Sequence, residues 1–360
     1  MRRTALALFS AIALGGAAAP PGPQTCRPDG DLDYICGPER PEDLLAIPGT
    51  KWIVASGFAP GAGLKLVDAP ARTYEKWYKA SASQIAWDKK HFPNCPAPLD
   101  ASLFNARGLS LRRIAADTWQ LLVVNHGGRE SVEAFKIVTG PRKPGLTWIG
   151  CQPLPADQVG NATASFEDGT ILVTVLTRPG TTIGDFMLGR KTGAVWQWRR
   201  GERDFVEMEG TQLPGNNGLE VDPDGNRFYV VGFGLHGVAI YDRRNTVRPL
   251  EVIAAPDFMP DNIHWSEGEL ILAGMRLDEP ACSGLRKVNE GKADPMLCHR
   301  GWVVGRLDLA AHRIATVAYG TPQAGFNGLS SATGWNGQLW LGSYQSDRIA
   351  IVRRADPTPP

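Results

Sequence analysis

The 360-residue sequence predicts an all-β fold, a six-bladed β-propeller. A segment pattern recurs six times, turn dipeptides sit at matching places within it, and no long stretch shows helical periodicity. Each segment has a small or polar start, an apolar stretch, a turn and a β-branched run. The starts lie near Glu42, Arg107, Asn161, Asn217, Asn262 and Asn327. Their spacing, roughly 45 to 65 residues, matches a propeller blade with loop insertions.

In chain order, the turns are Pro48-Gly49, Asp168-Gly169, Asp224-Gly225, Glu267-Gly268 and Asn336-Gly337. Asp-Gly and Asn-Gly favour hairpin turns with positive φ. The runs after them, such as 171–173, 228–231 and 270–272, read as short buried strands, and 121–124 is the counterpart in the second segment. Residues 132–138, 238–242, 301–308 and 348–352 read as outer strands. Residues 71–80 read as a short helix or an irregular loop, 20–38 as loop and 355–360 as a frayed tail. The eleven tryptophans suit packing between blades.

The formal charge is +1 and no basic stripe appears, which argues against a nucleic-acid partner. Arg2-Arg3, an apolar run over 5–14 and small residues over 15–19 read as a secretory signal peptide spanning 1–19. The run is too short to span a bilayer comfortably, so no stable membrane anchor is expected. The expected location is periplasmic or secreted, with 20–360 forming a single propeller domain. Export permits disulfides. The six cysteines allow fifteen connectivities, and pairing of neighbours is preferred: Cys26–Cys36, Cys95–Cys151 and Cys282–Cys298. Metal binding by cysteine is the alternative, although no CxxC spacing is present.

The segment starts also carry chemistry. A propeller gathers the first residues of its inner strands around one tunnel mouth. Glu42, Asn161, Asn217, Asp261 and Asn262 would together supply five side-chain oxygens there. Hard oxygen donors without His or Cys favour Ca²⁺ over Zn²⁺. Two carboxylates balance a dication, and positions remain for water or a substrate oxygen. The plainer reading is that Asn and Asp start strands by bonding local backbone. Asn161-Ala162-Thr163 also matches a glycosylation signal, though an inner-strand start is a poor acceptor site. His264, two residues after Asn262, shares its strand face and is a candidate to line the tunnel. Asn327 opens the sixth segment but is not counted as a ligand.

Over residues 36–353 the chain resembles the serum paraoxonase and senescence-marker/gluconolactonase superfamily of six-bladed calcium-dependent hydrolases. The most specific stretch is Leu121-Leu122-Val123-Val124-Asn125-His126-Gly127 followed by Ser131-Val132-Glu133-Ala134-Phe135. Pro41-Glu42-Asp43-Leu44, Asn217-Gly218 with Pro223-Asp224-Gly225, and Asp261-Asn262-Ile263 match as well. Paraoxonase-like bacterial lactonases are the nearer branch. The resemblance implies that Glu42, Asn161, Asn217, Asp261 and Asn262 hold a catalytic calcium. It also implies a second, buried calcium held partly by Asp43 and the Leu109 carbonyl. The chain departs from the pattern in three places. Ala162 stands where the family carries an aspartate, which weighs against the second ion. Arg107 stands where it carries a histidine that pairs with His126. Apolar Val175-Leu176 replaces an expected aspartate at the mouth.

The leading functional expectation is a calcium-dependent lactonase or arylesterase. The ion would polarise the carbonyl, and water would be activated by Asp261, with Glu42 or His126 as alternatives. Arg107 cannot act as a base near neutrality. It is expected either to bind an anionic group of a small-molecule substrate or to form a salt bridge to Glu42 or Asp261. The alternatives are a non-catalytic calcium-containing propeller that binds a small anionic ligand, or one that binds a protein partner. Substrate identity and oligomeric state are not legible.

Overall fold

Among the described residues, six four-stranded antiparallel sheets form the body, and two short two-stranded ribbons lie in an excursion of the fifth (278–285 and 288–293). The computed structural model describes residues 26–353 except 256, 290–291 and 294–296, so the expected signal peptide and C-terminal tail lie outside the described residues. The first blade comprises Leu44–Ala46, Trp52–Ala55, Lys65–Asp68 and Thr73–Lys76. The second comprises Ala106–Ala115, Thr118–Asn125, Ser131–Val138 and Gly145–Pro153. The third is Gly160–Ser165, Ile171–Val175, Ala194–Trp198 and Val206–Glu207; the fourth is Asn216–Val221, Arg227–Gly232, Gly237–Asp242 and Glu251–Ala254. The fifth is Phe258–Ser266, Glu269–Arg276, Trp302–Asp308 and Arg313–Gly320.

The sixth blade joins the two ends of the described chain. Leu329–Trp335, Gln338–Ser343 and Arg348–Val352 are completed by Leu32–Cys36, which pairs antiparallel to Arg348–Val352 with Leu32 opposite Val352. This corrects the expectation of loop over residues 20–38. The strand alternates little in hydrophobicity, and it gains its ladder only from a partner more than 300 residues away. A second correction concerns residues 71–80. They contain the outermost strand Thr73–Lys76, a mostly exposed edge whose polarity hides it from pattern reading.

The inner strands of neighbouring blades touch around a closed ring. Each sheet buries both faces against its neighbours, so the middle strands read as continuous apolar runs, as in Val123, Val173 and Val230. Trp148, Trp198 and Trp340 are fully buried. The turns follow their sequences: Asn336 and Gly337 both adopt positive φ, at 51° and 73°, as a two-residue hairpin turn requires.

All three preferred disulfides form. Cys26–Cys36 ties down the closing strand. Cys95–Cys151 fastens the excursion between the first two blades to the second blade's edge. Cys282–Cys298 staples an excursion of the fifth blade. Closing a loop of that last length is worth about 3 kcal/mol in the chain-entropy account.

Candidate functional site

The site is built on a repeated backbone irregularity. In the second to fifth blades the inner strand carries two residues where its partner has one. The pairs are Arg107-Gly108, Asn161-Ala162, Asn217-Gly218 and Asp261-Asn262. These are β-bulges, which re-aim side chains at barrel rims. The sixth blade has one extra residue, Ser330. In the first blade, Glu42-Asp43 stands just before the strand. The recurring polar starts therefore mark one bulge repeated around the tunnel mouth.

Close packing explains the glycines in these pairs. A Cβ on Gly108 would meet the Asn161 carbonyl oxygen at 2.5 Å, and one on Gly218 would meet the Asp261 carbonyl oxygen at 2.6 Å. The bulges of the second and fourth blades press on the bulge of the next blade, where only glycine leaves room, while Ala162 and Asn262 hold the equivalent position in the third and fifth.

The five candidate metal ligands come together. Glu42, Asn161, Asn217 and Asp261 floor one cavity of about 320 Å³. Asn262 joins them by donating from Nδ2 to Glu42 Oε1 at 3.3 Å. Glu42 Oε2 and the Oδ1 atoms of Asn161, Asn217 and Asn262 are buried without a hydrogen-bond partner. Burial, then repulsion from Asp43, pushes the Glu42 carboxyl up to about 7. Burial, then repulsion from Glu42, holds Asp261 well above the carboxylate range, although a hydrogen bond with Asn217 opposes this. Orphaned oxygens and strained carboxylates are what a hard cation would relieve, so the residues fit calcium. Among the described residues no group of three or more His, Cys, Asp or Glu side chains is arranged to hold a metal. The cradle depends on amide oxygens.

The cavity walls are apolar. Phe58, Leu176, Phe233 and Tyr344 come from the segments that follow the second strands of their blades, and Phe186 from the short helix Ile183–Met187. In a propeller the second strand ends at the same face where the first begins, so floor and wall share one mouth. Phe186 and Phe233 pack with Met259 and Met275, and Leu176 and Tyr344 lie against them. Arg286, from the disulfide-stapled excursion, also lines the cavity. A larger polar groove of about 740 Å³ lies at the opposite end of the strands, among the Asp168 and Asp224 turns. It holds none of the candidate residues.

The two remaining candidates are placed differently. His126 occupies the position after its second strand that Leu176, Phe233 and Tyr344 occupy in theirs. It does not line the cavity, and its Nδ1 lies 2.7 Å from Glu130 Oε2. Arg107 lies flat on Phe58, its guanidinium carbon 3.2 Å from the ring centroid. With the Asn105 amide oriented to accept, Arg107 Nη2 donates to Asn105 Oδ1 at 3.3 Å, while Nη1 is buried without a partner. Burial lowers its pKa to about 10, against the pull of Glu42 and Glu130.

Below the mouth, Asp43 meets His264. Nε2 of His264 lies 2.8 Å and 3.1 Å from the two Asp43 carboxylate oxygens. Desolvation alone would lower the imidazole pKa, but Asp43 and Glu220 together raise it to about 10. His264 thus lines the tunnel as its strand face predicts. Of the other histidines, His91 pairs with Asp88 and His312 with Glu251, and neither lines the cavity. Asn327 does not line the cavity; it accepts from the Arg300 backbone N–H and donates to Gln345.

Sequence reasoning placed Leu176 at the mouth but missed the other wall residues, Arg286 and Ser330. Ser330 is fully buried and donates to the Glu42 carbonyl at 2.6 Å. The wall had one readable signal, a large apolar residue just after the second strand.

No protein-family model matches the chain, and no curated protein matches it. Its fold is shared with a luciferin-regenerating enzyme, at 10% identity and a TM-score of 0.52, over 90% of this chain and 95% of that one. A candidate gluconolactonase aligns at 11% identity and a TM-score of 0.49, covering 89% of this chain and 91% of that one. U3-55K aligns at 10% identity and a TM-score of 0.49, covering 89% of this chain and 98% of that one. At these identities the likeness concerns the fold.

Proposed function

We propose that the chain is a calcium-dependent hydrolase of lactones or aryl esters whose acyl or aryl body is apolar. The observation that carries this reading is the set of unpartnered buried oxygens flooring an apolar-walled cavity. Glu42, Asn161, Asn217, Asp261 and Asn262 would hold the cation. When bound there, calcium would supply Lewis-acid polarisation of an ester carbonyl and charge stabilisation at its oxygen.

The chain's own residues account for the rest. Phe58, Phe186, Phe233 and Tyr344 seat the apolar body and keep bulk water off the floor. Asp261 takes a proton from the attacking water at a carboxylate oxygen and returns it to the leaving alkoxide. Its place on the cavity floor sets it beside the carbonyl that the cation would polarise, and coordination would keep it a weak base, so modest rates are expected. Arg107, stacked on Phe58 behind the cavity wall with one nitrogen unused, would contribute positive charge that favours an anionic group of the substrate or the product carboxylate.

The test is turnover of a lactone and aryl-ester panel by purified protein, with and without chelator. Activity lost to chelator and restored by calcium supports the reading. Activity indifferent to chelator sinks it. A second reading is a calcium-containing propeller that binds a small anionic ligand without turning it over. It is favoured by one observation: His126 is engaged by Glu130 and stands off the cavity. Calcium binding with no turnover across the panel would favour it. The three disulfides suit an extracytoplasmic location, and no described helix is long and apolar enough to cross a membrane.

A further inference from the structure

We infer that the tunnel beneath the mouth holds no second cation, because the His264 side chain takes its place and clamps three blades together there. The resemblance implied a buried calcium held partly by Asp43 and the Leu109 carbonyl. The residues present do not fit one.

Asp43 is fully buried, yet its carboxylate is saturated by donors. Oδ1 accepts from the Leu44 backbone N–H at 2.9 Å, and Oδ2 accepts from the Leu109 backbone N–H at 2.7 Å. His264 Nε2 lies within hydrogen-bond reach of both oxygens. A carboxylate has about four acceptor directions; three donors, one of them shared, leave little for a metal. Leu109 turns its N–H toward Asp43, and a donor dipole repels a cation. Ala162 adds no ligand. The contrast with the mouth is direct: oxygens without partners there, an oxygen pair fully partnered here.

The same contacts define a positioning role. Asp43 belongs to the first blade, His264 to the fifth, and Glu220 of the fourth lies 3.6 Å from His264 Nδ1. That separation is a charge contact and not a hydrogen bond. Asp43 is also fixed by its own N–H, which donates to Ser56 Oγ at 2.9 Å. Because Glu42 is its chain neighbour, His264 acts through Asp43 on the geometry of the mouth. Hydrogen-bonding partners behind a metal ligand commonly change metal affinity about 10- to 100-fold when removed.

This inference does not depend on the hydrolase reading, and two measurements separate them. The first is elemental analysis of wild-type protein equilibrated with calcium and passed through a desalting column. One equivalent per chain is expected, and two equivalents would overturn the inference. Zero equivalents would instead defeat the cation-dependent reading of the mouth. The second is thermal melting of His264→Ala and His264→Gln in calcium and in chelator. His264→Ala should lower the melting temperature by several degrees in chelator and by more in calcium, because the mouth then binds its cation less tightly, and glutamine, which keeps an N–H donor, should recover part of both losses. An alanine effect that vanishes in chelator, or no effect at all, would show that His264 is not the partner Asp43 requires. Should the alanine variant fail to fold, the glutamine variant carries the same comparison.

Discussion

Glu42 and Asp43 are consecutive residues, almost equally buried, and their surroundings are opposite. Glu42 turns to the mouth, where one of its oxygens has no partner and the neighbouring amide oxygens are orphaned too. Asp43 turns into the tunnel, where backbone N–H groups and His264 satisfy it. Burial alone therefore does not mark a metal ligand. What separates the two is whether the fold already supplies donors. A structural carboxylate is finished by the protein, whereas a binding carboxylate is left unfinished.

The sharpest way to break this comparison is Asp43→Ala. It leaves His264 buried beside Glu220 with its main partner gone, and removing one member of a buried pair costs about 3–5 kcal/mol. Chemical denaturation in chelator should show that loss undiminished. Asp261→Asn acts on the other side of the contrast: hydrolysis should fall about 10³-fold with stability in chelator unchanged or improved, as read from steady-state kinetics and melting.

Removing the cation should expose a pH dependence. In chelator, Glu42 has a folded pKa raised to about 7 from 4.5, so the folded state binds more protons between those values. Stability is then greatest below pH 4.5 as far as this group is concerned. It falls as pH rises toward 7, by on the order of 3 kcal/mol. Saturating calcium should flatten the profile, and melting across pH with and without chelator checks this.

Gly218→Ala tests the packing of the bulges. The new methyl would meet the Asp261 backbone, a rigid neighbour, so a loss of about 1–3 kcal/mol is expected together with weaker calcium binding. The smallest effect belongs to Asn161→Ala. Its oxygen has no partner, so stability in chelator should stay within about 1 kcal/mol of wild type while calcium affinity drops. A large loss in chelator would mean that Asn161 is structural, like Asp43.

Much of this was legible before any coordinates. Glu42, Asn161, Asn217 and Asp261 open their blades at one repeat position and Asn262 follows Asp261 directly, and periodic placement survives translation into space when the fold is a ring. The cavity walls were harder, because Phe58, Phe233 and Tyr344 look like core residues until the end of the second strand is known to face the mouth. Phe186 lies in an insertion outside the repeat. His126 and Arg107 show the limit of positional reading. Each sits at its expected repeat position, but local partners, Glu130 for one and Phe58 for the other, turn the side chains aside.

Turn dipeptides, β-branched runs and neighbouring cysteines are local signals. They set the hairpins and the two short disulfide loops because the forces involved act within a few residues or within one loop, whereas Cys95–Cys151, 56 residues apart, meets only once the second blade has folded. The closing strand Leu32–Cys36, the saturation of Asp43 by His264 and the orphaning of the mouth oxygens were decided by the closed ring. Each depends on groups distant in sequence meeting at fixed distances, and hydrogen bonds and charge contacts have no meaning until those distances exist.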